Sequence, residues 1–342
     1  MHSASTPSRA HGARDTDDRL AWPCPPFARI RRAFSCLIAV WGAAGIAQAA
    51  PDFTFAPTAE ISAWKVSWGD RPVMVYSFGS AQYKPYVKEL YAWNGVNILR
   101  DAPSDHLHHH ALMYAVRVNG LNFWEEVPGS GVQRVVKTQP PVARRNAAGQ
   151  PEAVLAQTIH WVAPADAFLP DTTRAALLIE ERTLTVALDE ASREVALRWQ
   201  SEFTAGTNPV TLGGSSYFGL GMRFRKDFDL LADHLNAGGK PDLSGSKQDV
   251  SRHPWGSVAF AGSDLPAMVV LYGHPGNARG DAYFFTMKQA FPYLSATQGL
   301  DKEPLAYPAG GQFALKYLVT VYPEIKTPEA ITARGKSWAE SP

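Results

Sequence analysis

Apolar and polar residues alternate with a period of two along most of the chain after about residue 60. Such alternation places apolar side chains on one face of a strand and polar side chains on the other. Clusters of Gly, Pro, Asn and Asp separate the alternating segments and predict turns. The segments predicted as strands are WKVSWGDRPVMVYSF, LMYAVRVNGLNFW, GVQRVVKT, AVLAQTIHWVA, AALLIEERTLTVAL, EVALRWQSEFTA, SVAFAG, AMVVLYGH, YFFTMKQAFPYLSA and QFALKYLVTVYP. The pattern therefore predicts an all-β protein.

Helical periodicity is rare in this chain. The two short candidates are KDFDLLADHLN, residues 226–236, and TPEAITARGKSWAE near the carboxyl terminus. Residues 50–342 contain neither a Pro/Ser-rich linker nor a repeat of fixed period, so we predict one domain over this range. So many strands in one domain of this size predict a large antiparallel β-sandwich with curved sheets.

The first 49 residues predict a secretory signal peptide. Arginines between residues 29 and 32 precede an apolar run, and Ala-Gln-Ala at residues 47–49 is a small-residue cleavage site. The apolar run is shorter than the roughly 20 residues of a membrane helix, and no longer run follows it, so no membrane span is expected after signal removal. We therefore expect the mature protein in the periplasm or outside the cell.

Composition excludes several classes of function. Both cysteines, Cys24 and Cys36, lie in the predicted signal, which excludes disulfides, zinc-thiolate sites and a cysteine nucleophile in the mature protein. The net charge is +1 and no basic stripe is present, so nucleic acid is not an expected partner. Trp and Tyr are abundant, which suits both a β core and a surface that stacks on sugars.

Four histidines occupy five positions at His106, His108, His109 and His110. If the segment is extended, His106, His108 and His110 share one face and His109 points to the other. Imidazoles in this number can hold a metal, transfer protons or form a solvated loop before a strand. A plain turn needs only Gly, Asn, Asp or Ser, so the cluster favours a functional site.

Three other places are candidates for the same site. His274 ends an apolar segment and Asn277 follows in the loop, where β scaffolds often present functional groups. Arg223 lies in a Gly-rich strand segment and is suited either to clamping a carboxylate or hydroxyls or to a structural salt bridge. Glu303 precedes Pro304, whose restriction of the preceding backbone suits a positioned general base.

The segment Glu-Glu-Arg-Thr at residues 180–183 places Glu180 and Arg182 on one face and Glu181 on the other. This spacing predicts one structural carboxylate–guanidinium pair.

Five motifs stand out: DHLHHHALMYAVRVNGLNFW, YFGLGMRFR, PDLSGS, HPGNARGDAYFFTMKQAFPY and EPLAYPAGGQFALKYLVTVY. Together they resemble a bacterial secreted family labelled PmoA-like or DUF6807, over about residues 60–325. The family's first motif reads His-Pro-His-His-Arg-Gly. This chain keeps the three histidines as His106, His108 and His109 but has Leu, His and Ala in the other positions. A methane oxygenase subunit, to which the label refers, is an integral membrane protein, and the mature chain has no apolar run to match.

The resemblance further implies the galactose-mutarotase-like supersandwich, a fold used by aldose epimerases, sugar lyases and many glycosidases. Such proteins often use an early histidine, a later histidine and a late glutamate in a Glu-Pro context, and Glu303–Pro304 is similar to the last. The implied function is a secreted carbohydrate-active protein of epimerase, lyase or hydrolase type. The implied catalytic residues are His108, His274 and Glu303, and the implied ligand-binding residues are His106, His109, Arg223, Asn277, Trp124 and Tyr293.

In this hypothesis Glu303 takes a proton from the sugar, His108 or His274 delivers one, and no cofactor is needed. Two alternatives stay open. One is a metal-dependent hydrolase or oxygenase in which His106 and His108 hold a divalent ion and His274 or Asp242 completes the shell. The other is a sugar-binding protein without catalysis, in which the same groups only bind ligand hydroxyls.

Overall fold

The alternating segments form β-strands that pair into antiparallel sheets. The computed structural model describes residues 52–58 and 62–340, so the predicted signal over residues 1–49 lies outside the described residues. The strands are β1 Phe53–Pro57, β2 Ala63–Trp68, β3 Arg71–Ser77, β4 Tyr86–Leu90, β5 Leu112–Ala115, β6 Arg117–Val118, β7 Leu121–Asn122, β8 Val132–Thr138, β9 Val142–Arg145, β10 Pro151–Val162, β11 Leu178–Asp189, β12 Glu194–Ala205, β13 Val210–Gly213, β14 Gly219–Arg223, β15 Asp233–Asn236, β16 Gln248–Arg252, β17 Trp255–Ala259, β18 Met268–Gly273, β19 Tyr283–Met287, β20 Tyr293–Thr297, β21 Leu305–Tyr307 and β22 Gln312–Tyr322.

Two nine-stranded sheets make up most of the fold. The first sheet has the order β1-β2-β3-β4-β5-β14-β20-β19-β16, and the second has the order β15-β17-β18-β22-β12-β11-β10-β8 with β9 also paired to β10. A smaller sheet has the order β21-β13-β6-β7. The prediction of an all-β protein with large antiparallel sheets is thereby confirmed.

The core lies between the two large sheets. Tyr114 on β5 of the first sheet has its ring centroid 6.0 Å from those of Trp161 and Phe203 on the second. Gly256 on β17 would bring a Cβ within 2.7 Å of Phe284 on β19, so a glycine permits the sheets to approach there. Because side chains alternate along a strand, every second residue of the first sheet points away from this core. We call that side the outer face.

A buried ion pair joins the sheets inside the core. Arg182 donates from Nε to Glu180 Oε1 at 2.7 Å and from Nη2 to Glu180 Oε2 at 2.9 Å, and both side chains are almost fully buried. Arg182 Nη1 also donates to the carbonyl of Pro85, just before β4 of the first sheet, at 3.0 Å. The predicted Glu180–Arg182 pair is confirmed as part of the core. We call these contacts the inner network.

The predicted carboxyl-terminal helix is present as α1, Pro328–Ala339. The Thr327 side chain accepts a hydrogen bond from the Ala330 backbone N–H, and Pro328 occupies the first turn, both of which favour a helix start. Ile331 and Trp338 are buried against the second sheet. The helix therefore covers part of that sheet on the side away from the core.

The helix predicted over residues 226–236 is wrong. Lys226–Phe228 forms one 3₁₀ turn, and Asp233–Asn236 is strand β15, paired with Gly256–Ala259. His234 and Asn236 are buried while Asp233 is exposed. A two-residue alternation at the sheet edge thus replaces the expected helical spacing, because pairing with β17 satisfies the backbone.

His234 makes folding stability depend on acid pH. Its side chain is 3 % exposed, and burial lowers its pKa from 6.5 to about 4. Below about pH 6.5 the imidazole binds a proton in the unfolded chain, whereas in the folded chain it stays neutral down to about pH 4. The free energy of unfolding therefore falls as the pH is lowered through that range. We expect a loss of about 3 kcal/mol from this group.

Urea unfolding of the wild type and His234→Leu across that pH range measures this effect. The variant should lose less stability on acidification, whatever its stability at neutral pH. An identical pH slope in the two proteins would contradict the assignment.

Candidate functional site

The outer face of the first sheet carries two of the predicted site residues next to each other. Arg223 on β14 pairs with Tyr293 on β20, so both side chains point to the same face. Gly221 shares that face two residues before Arg223. A Cβ on Gly221 would lie 2.0 Å from the Tyr293 hydroxyl and 3.1 Å from the Trp124 ring. The glycine therefore leaves the space in which Tyr293 and Trp124 meet.

The histidine segment is a series of turns, whereas an extended segment would separate its side chains by face. The His106 backbone N–H donates to Pro103 O at 2.8 Å, and that of His109 donates to His106 O at 3.0 Å. Ala111 ends the segment with a φ of +44°. The segment is therefore not extended, and His106, His108 and His110 do not share one face.

Instead, the turns gather the rings of His106, His108 and His109. The ring centroids are 4.5 Å apart for His106 and His109, 4.6 Å for His108 and His109, and 5.8 Å for His106 and His108. Three of the four histidines thus form one group, and the ring of His110 points away from it. We call the group, with the residues that contact it, the histidine site.

Aromatic rings lie beneath two of the three imidazoles. Phe291 is 5.1 Å from His106 and 5.8 Å from His109 between ring centroids. The centroid of Tyr293 is 5.5 Å, and that of Trp124 6.4 Å, from that of His109. The histidine site therefore has an apolar floor below polar ring nitrogens.

Arg223 connects this floor to the histidine segment. Its guanidinium carbon lies 3.1 Å from the ring centroid of Phe291, and its Nη2 donates to Asp105 Oδ2 at 3.0 Å. Asp105 Oδ2 also lies 3.2 Å from His106 Nδ1. Burial alone would raise the pKa of Asp105, but His106 and Arg223 outweigh it and lower the pKa to about 2. Asp105 is therefore ionised, and its carboxylate links the start of the histidine segment to Arg223.

Several buried polar atoms of the site have no hydrogen-bond partner within the described protein. Such atoms are costly in a folded protein unless water or a ligand reaches them. Their concentration around one cluster makes it a candidate place for bound water or a ligand. The atoms are His109 Nδ1, Trp124 Nε1, Arg223 Nε, Arg223 Nη1 and the Tyr293 hydroxyl.

A charged network flanks the histidine site. His110 contacts Asp101 Oδ1 through Nδ1 at 2.8 Å and Glu126 Oε2 through Nε2 at 3.0 Å. Burial alone would lower the pKa of His110, but these two carboxylates outweigh it and raise the pKa. Lys84 is buried and donates to Glu126 Oε1 at 2.7 Å and to the Trp124 carbonyl at 2.9 Å. His110 is thus held between two carboxylates and contributes structure and charge.

The imidazoles of the site itself have lowered pKa values. Burial lowers the pKa of His108, and the positive charge of Lys84 lowers it further. Burial lowers the pKa of His109 to about 3, with His108 and His106 adding to the effect. Both rings are therefore neutral near pH 7. A neutral, half-buried imidazole is suited to accept a proton from a bound hydroxyl or carbon acid.

The structure does not bring Glu303 to the histidines. Arg223 pairs with Tyr293 at one end of β20, whereas Gly219 pairs with Thr297 at the other, roughly 13 Å along the strand. Glu303 follows Thr297 in the chain, its side chain is 79 % exposed, and its Oε2 lies 3.5 Å from Arg279 Nη2. The expected cleft shared by all the predicted residues is therefore not formed.

His274 and Asn277 also have contacts elsewhere. The ring of His274 lies 5.2 Å from that of Trp338 on α1, and its Nδ1 accepts a hydrogen bond from the Gly276 N–H at 2.9 Å. Asn277 donates to the Lys316 carbonyl at 2.9 Å and accepts from its N–H at 2.8 Å. Both polar atoms of the Asn277 amide are thus hydrogen-bonded to the backbone of β22. Its predicted ligand-binding role has no support from this position.

The alternative of a metal site also lacks its ligand set. Among residues 52–58 and 62–340, no three His, Cys, Asp or Glu side chains are placed to hold one metal ion. Asp242, the other proposed ligand, is exposed and bonded to Ser244 and Lys247. His274 lies against α1, so neither residue completes a shell with His106 and His108.

Sequence reasoning missed five residues that contact or flank the site. Asp105 and Phe291 lie inside motifs already singled out, so their neighbours gave a signal. For Lys84 and Glu126 the sequence offers none, because each depends on a partner far along the chain. The missed residues are Lys84, Asp101, Asp105, Glu126 and Phe291.

Comparison with known proteins gives a family and several similar structures. The model of a family described as "Family of unknown function (DUF6807)" matches residues 63–335. No curated protein matches the chain. Within the described residues, no helix is both long and apolar enough to cross a membrane.

Three solved structures illustrate the structural similarity. The galactosidase domain of alpha-galactosidase-sucrose kinase AgaSK has 11% identity and a TM-score of 0.46, over 79% of this chain and 42% of that one. The GH36 alpha-galactosidase AgaB from Geobacillus stearothermophilus has 11% identity and a TM-score of 0.43, over 78% and 40%. A putative aldose 1-epimerase from Klebsiella pneumoniae subsp. pneumoniae has 9% identity and a TM-score of 0.45, over 85% and 89%. The chain thus spans about two fifths of the two galactosidase structures.

Proposed function

The chain belongs to DUF6807, a family of unknown function, and we propose that its histidine site binds a sugar and transfers protons on it. The observation that carries the proposal is the group of three imidazoles, two of them above an aromatic floor, in which the half-buried His108 is neutral near pH 7. The sequence resemblance to galactose-mutarotase-like sugar enzymes implies the same class of ligand.

The site offers the polar contacts that a sugar uses. Phe291, Tyr293 and Trp124 are almost fully buried and support the imidazoles, whereas the nitrogens of the partly exposed His106 and His108 can exchange hydrogen bonds with sugar hydroxyls. His106 is partly exposed and its ring stands edge-on to Phe291.

His108 is the residue best suited to proton transfer. It is half-buried, and its lowered pKa supplies the neutral base at pH 7. The charges of Lys84 and Glu126 both act on the pKa of His108. The ammonium group of Lys84 is held in place by its hydrogen bonds to the Trp124 carbonyl and to Glu126. We therefore assign His108 as the acid/base residue, His106 as a ligand-binding residue, and Asp105 with Arg223 as positioning residues.

The proposal does not use His274 or Glu303, because neither contacts the histidine site. It also needs no metal. The remaining alternative is a sugar-binding protein without catalysis, which the same contacts would serve equally well. Export by the predicted signal peptide, which we also propose, would place either protein outside the cytoplasm.

A panel of aldoses, ketoses, keto-sugars and short oligosaccharides tests the proposal. Binding is measured by calorimetry and by the rise in melting temperature, and conversion by proton NMR of each mixture. We expect at least one sugar to raise the melting temperature and to be converted. A sugar that binds and stays unchanged would leave only the non-catalytic alternative, and a panel without any binding would contradict both.

His106→Ala and His253→Ala form a matched pair for that panel. His106 lies in the histidine site, whereas His253 is a partly buried histidine beside Gly238. We expect sugar binding to weaken in the first variant and to stay at the wild-type level in the second.

A further inference from the structure

A cavity lies at one edge of the sandwich. It has a volume of about 410 Å³, which falls in the roughly 300–1,000 Å³ range of small-molecule sites. Its walls come from the β2–β3 turn and the segment after β4 in the first sheet, and from the β11–β12 hairpin in the second. None of its lining residues contributes to the histidine site. We call it the aromatic cavity; its residues include Trp68, Arg71, Tyr91, Trp93, Leu188 and Arg193.

Two tryptophans form one wall of the aromatic cavity. The ring centroids of Trp68 and Trp93 are 5.6 Å apart and their planes are inclined by 51°. Trp68 is only 8 % exposed, yet its indole Nε1 is buried without a partner in the described protein. Tyr91 adds a third ring, whose hydroxyl already donates to Glu89 at 2.6 Å. The wall therefore combines flat apolar surfaces with one unused buried donor.

The charged groups of the cavity are all positive. Arg71 and Arg193 line it, and no Asp or Glu does. Arg71 lies over the ring of Trp93, 5.1 Å from its centroid, and no carboxylate of the described residues forms an ion pair with it. Arg193 has one carboxylate, Glu324, at 3.5 Å, and is half exposed. Two guanidinium groups thus face a space that holds no opposite charge.

We propose that the aromatic cavity binds an acidic sugar, a ring with an apolar face and a carboxylate. The tryptophan rings receive the ring face, Trp68 Nε1 donates to a hydroxyl, and Arg71 and Arg193 bind the carboxylate. Arginine is suited to the last role because its planar fork matches a carboxylate with two parallel hydrogen bonds. This inference is independent of the proton transfer proposed for the histidine site.

Three probes separate the parts of the proposed ligand. Glucuronate carries both the ring and the carboxylate, methyl glucoside carries only the ring, and acetate carries only the charge. In calorimetric titrations of the full mature protein we expect glucuronate to bind at least about tenfold more tightly than either of the others. Equal binding of acetate would show a simple anion site, and equal binding of methyl glucoside a neutral sugar site. Either result, or no binding of glucuronate, would overturn the proposal.

Substitutions then locate the binding. Arg71→Gln should weaken glucuronate about tenfold or more while leaving methyl glucoside unchanged. Arg145→Gln, at an exposed arginine that does not line the cavity, is the matched control and should have no effect. Trp93→Ala should weaken both sugars, and Arg71→Gln decides the case if that variant does not fold.

His108→Gln separates this proposal from the proposed function. Because His108 lies in the histidine site, that substitution should leave the Arg71-dependent binding of glucuronate unchanged. Loss of glucuronate binding in His108→Gln, with none in Arg71→Gln, would assign the acidic sugar to the histidine site and overturn the proposal for the aromatic cavity.

Discussion

Replacing Glu180 by alanine is expected to lower the free energy of unfolding by about 3–5 kcal/mol. Glu180 Oε1 accepts hydrogen bonds from Arg182 at 2.7 Å and Ser201 at 2.6 Å, and Oε2 accepts from Arg182 at 2.9 Å and Trp161 at 2.8 Å. Arg182 is 1 % exposed. Removal of the carboxylate therefore leaves a buried positive charge without its counter-ion.

Denaturant unfolding at neutral pH measures the loss, and Glu181→Ala is its matched control. Glu181 is the next residue, but it is exposed and accepts a surface hydrogen bond from Thr158. Its replacement should cost less than about 1 kcal/mol. Similar losses in the two variants would show that the inner network does not hold the sheets together.

The second large effect is expected in turnover of whichever sugar the panel identifies as substrate. His108→Gln should lower kcat by about 10²- to 10⁴-fold, the usual contribution of a positioned acid or base. Because glutamine keeps polar atoms near the original positions, ligand affinity should change far less than kcat. The split between kcat and binding is what separates a proton-transfer role from a structural one.

Glu303→Gln provides the sharpest comparison. The sequence resemblance implies that this carboxylate is the general base, whereas the structure places it beside Arg279, beyond the far end of β20. We expect turnover in Glu303→Gln to stay near the wild-type level. Loss of turnover in that variant, with normal turnover in His108→Gln, would move the active site away from the histidines.

Strand positions could be predicted from the sequence because alternation is local. The segment EVALRWQSEFTA predicts β12 residue for residue, and the Glu180–Arg182 pair follows from a spacing of two. The error at residues 226–236 has the opposite cause. A few apolar residues there have helical spacing, but Asp233–Asn236 forms a strand because it pairs with β17. That pairing is between segments distant in sequence, so the local pattern does not reveal it.

The candidate site was predictable only in its most concentrated part. Four histidines in five residues marked the segment, and the structure shows three of their rings in contact. Its backbone turns were not foreseen, because a hydrogen bond such as that from His109 N–H to His106 O depends on tertiary support. Lys84 and Glu126 meet across 42 residues, and neither has a sequence signal of its own.

The proposed function requires that a sugar binds at the histidine site. Imidazole resonances of the ¹⁵N-histidine-labelled protein, followed by NMR while the tightest-binding sugar of the panel is added, test it most directly. We expect progressive shifts for His106 and His108 and none for His274, whose ring lies against Trp338. Shifts confined to His274, or saturation of the protein with no change at His106 and His108, would contradict it.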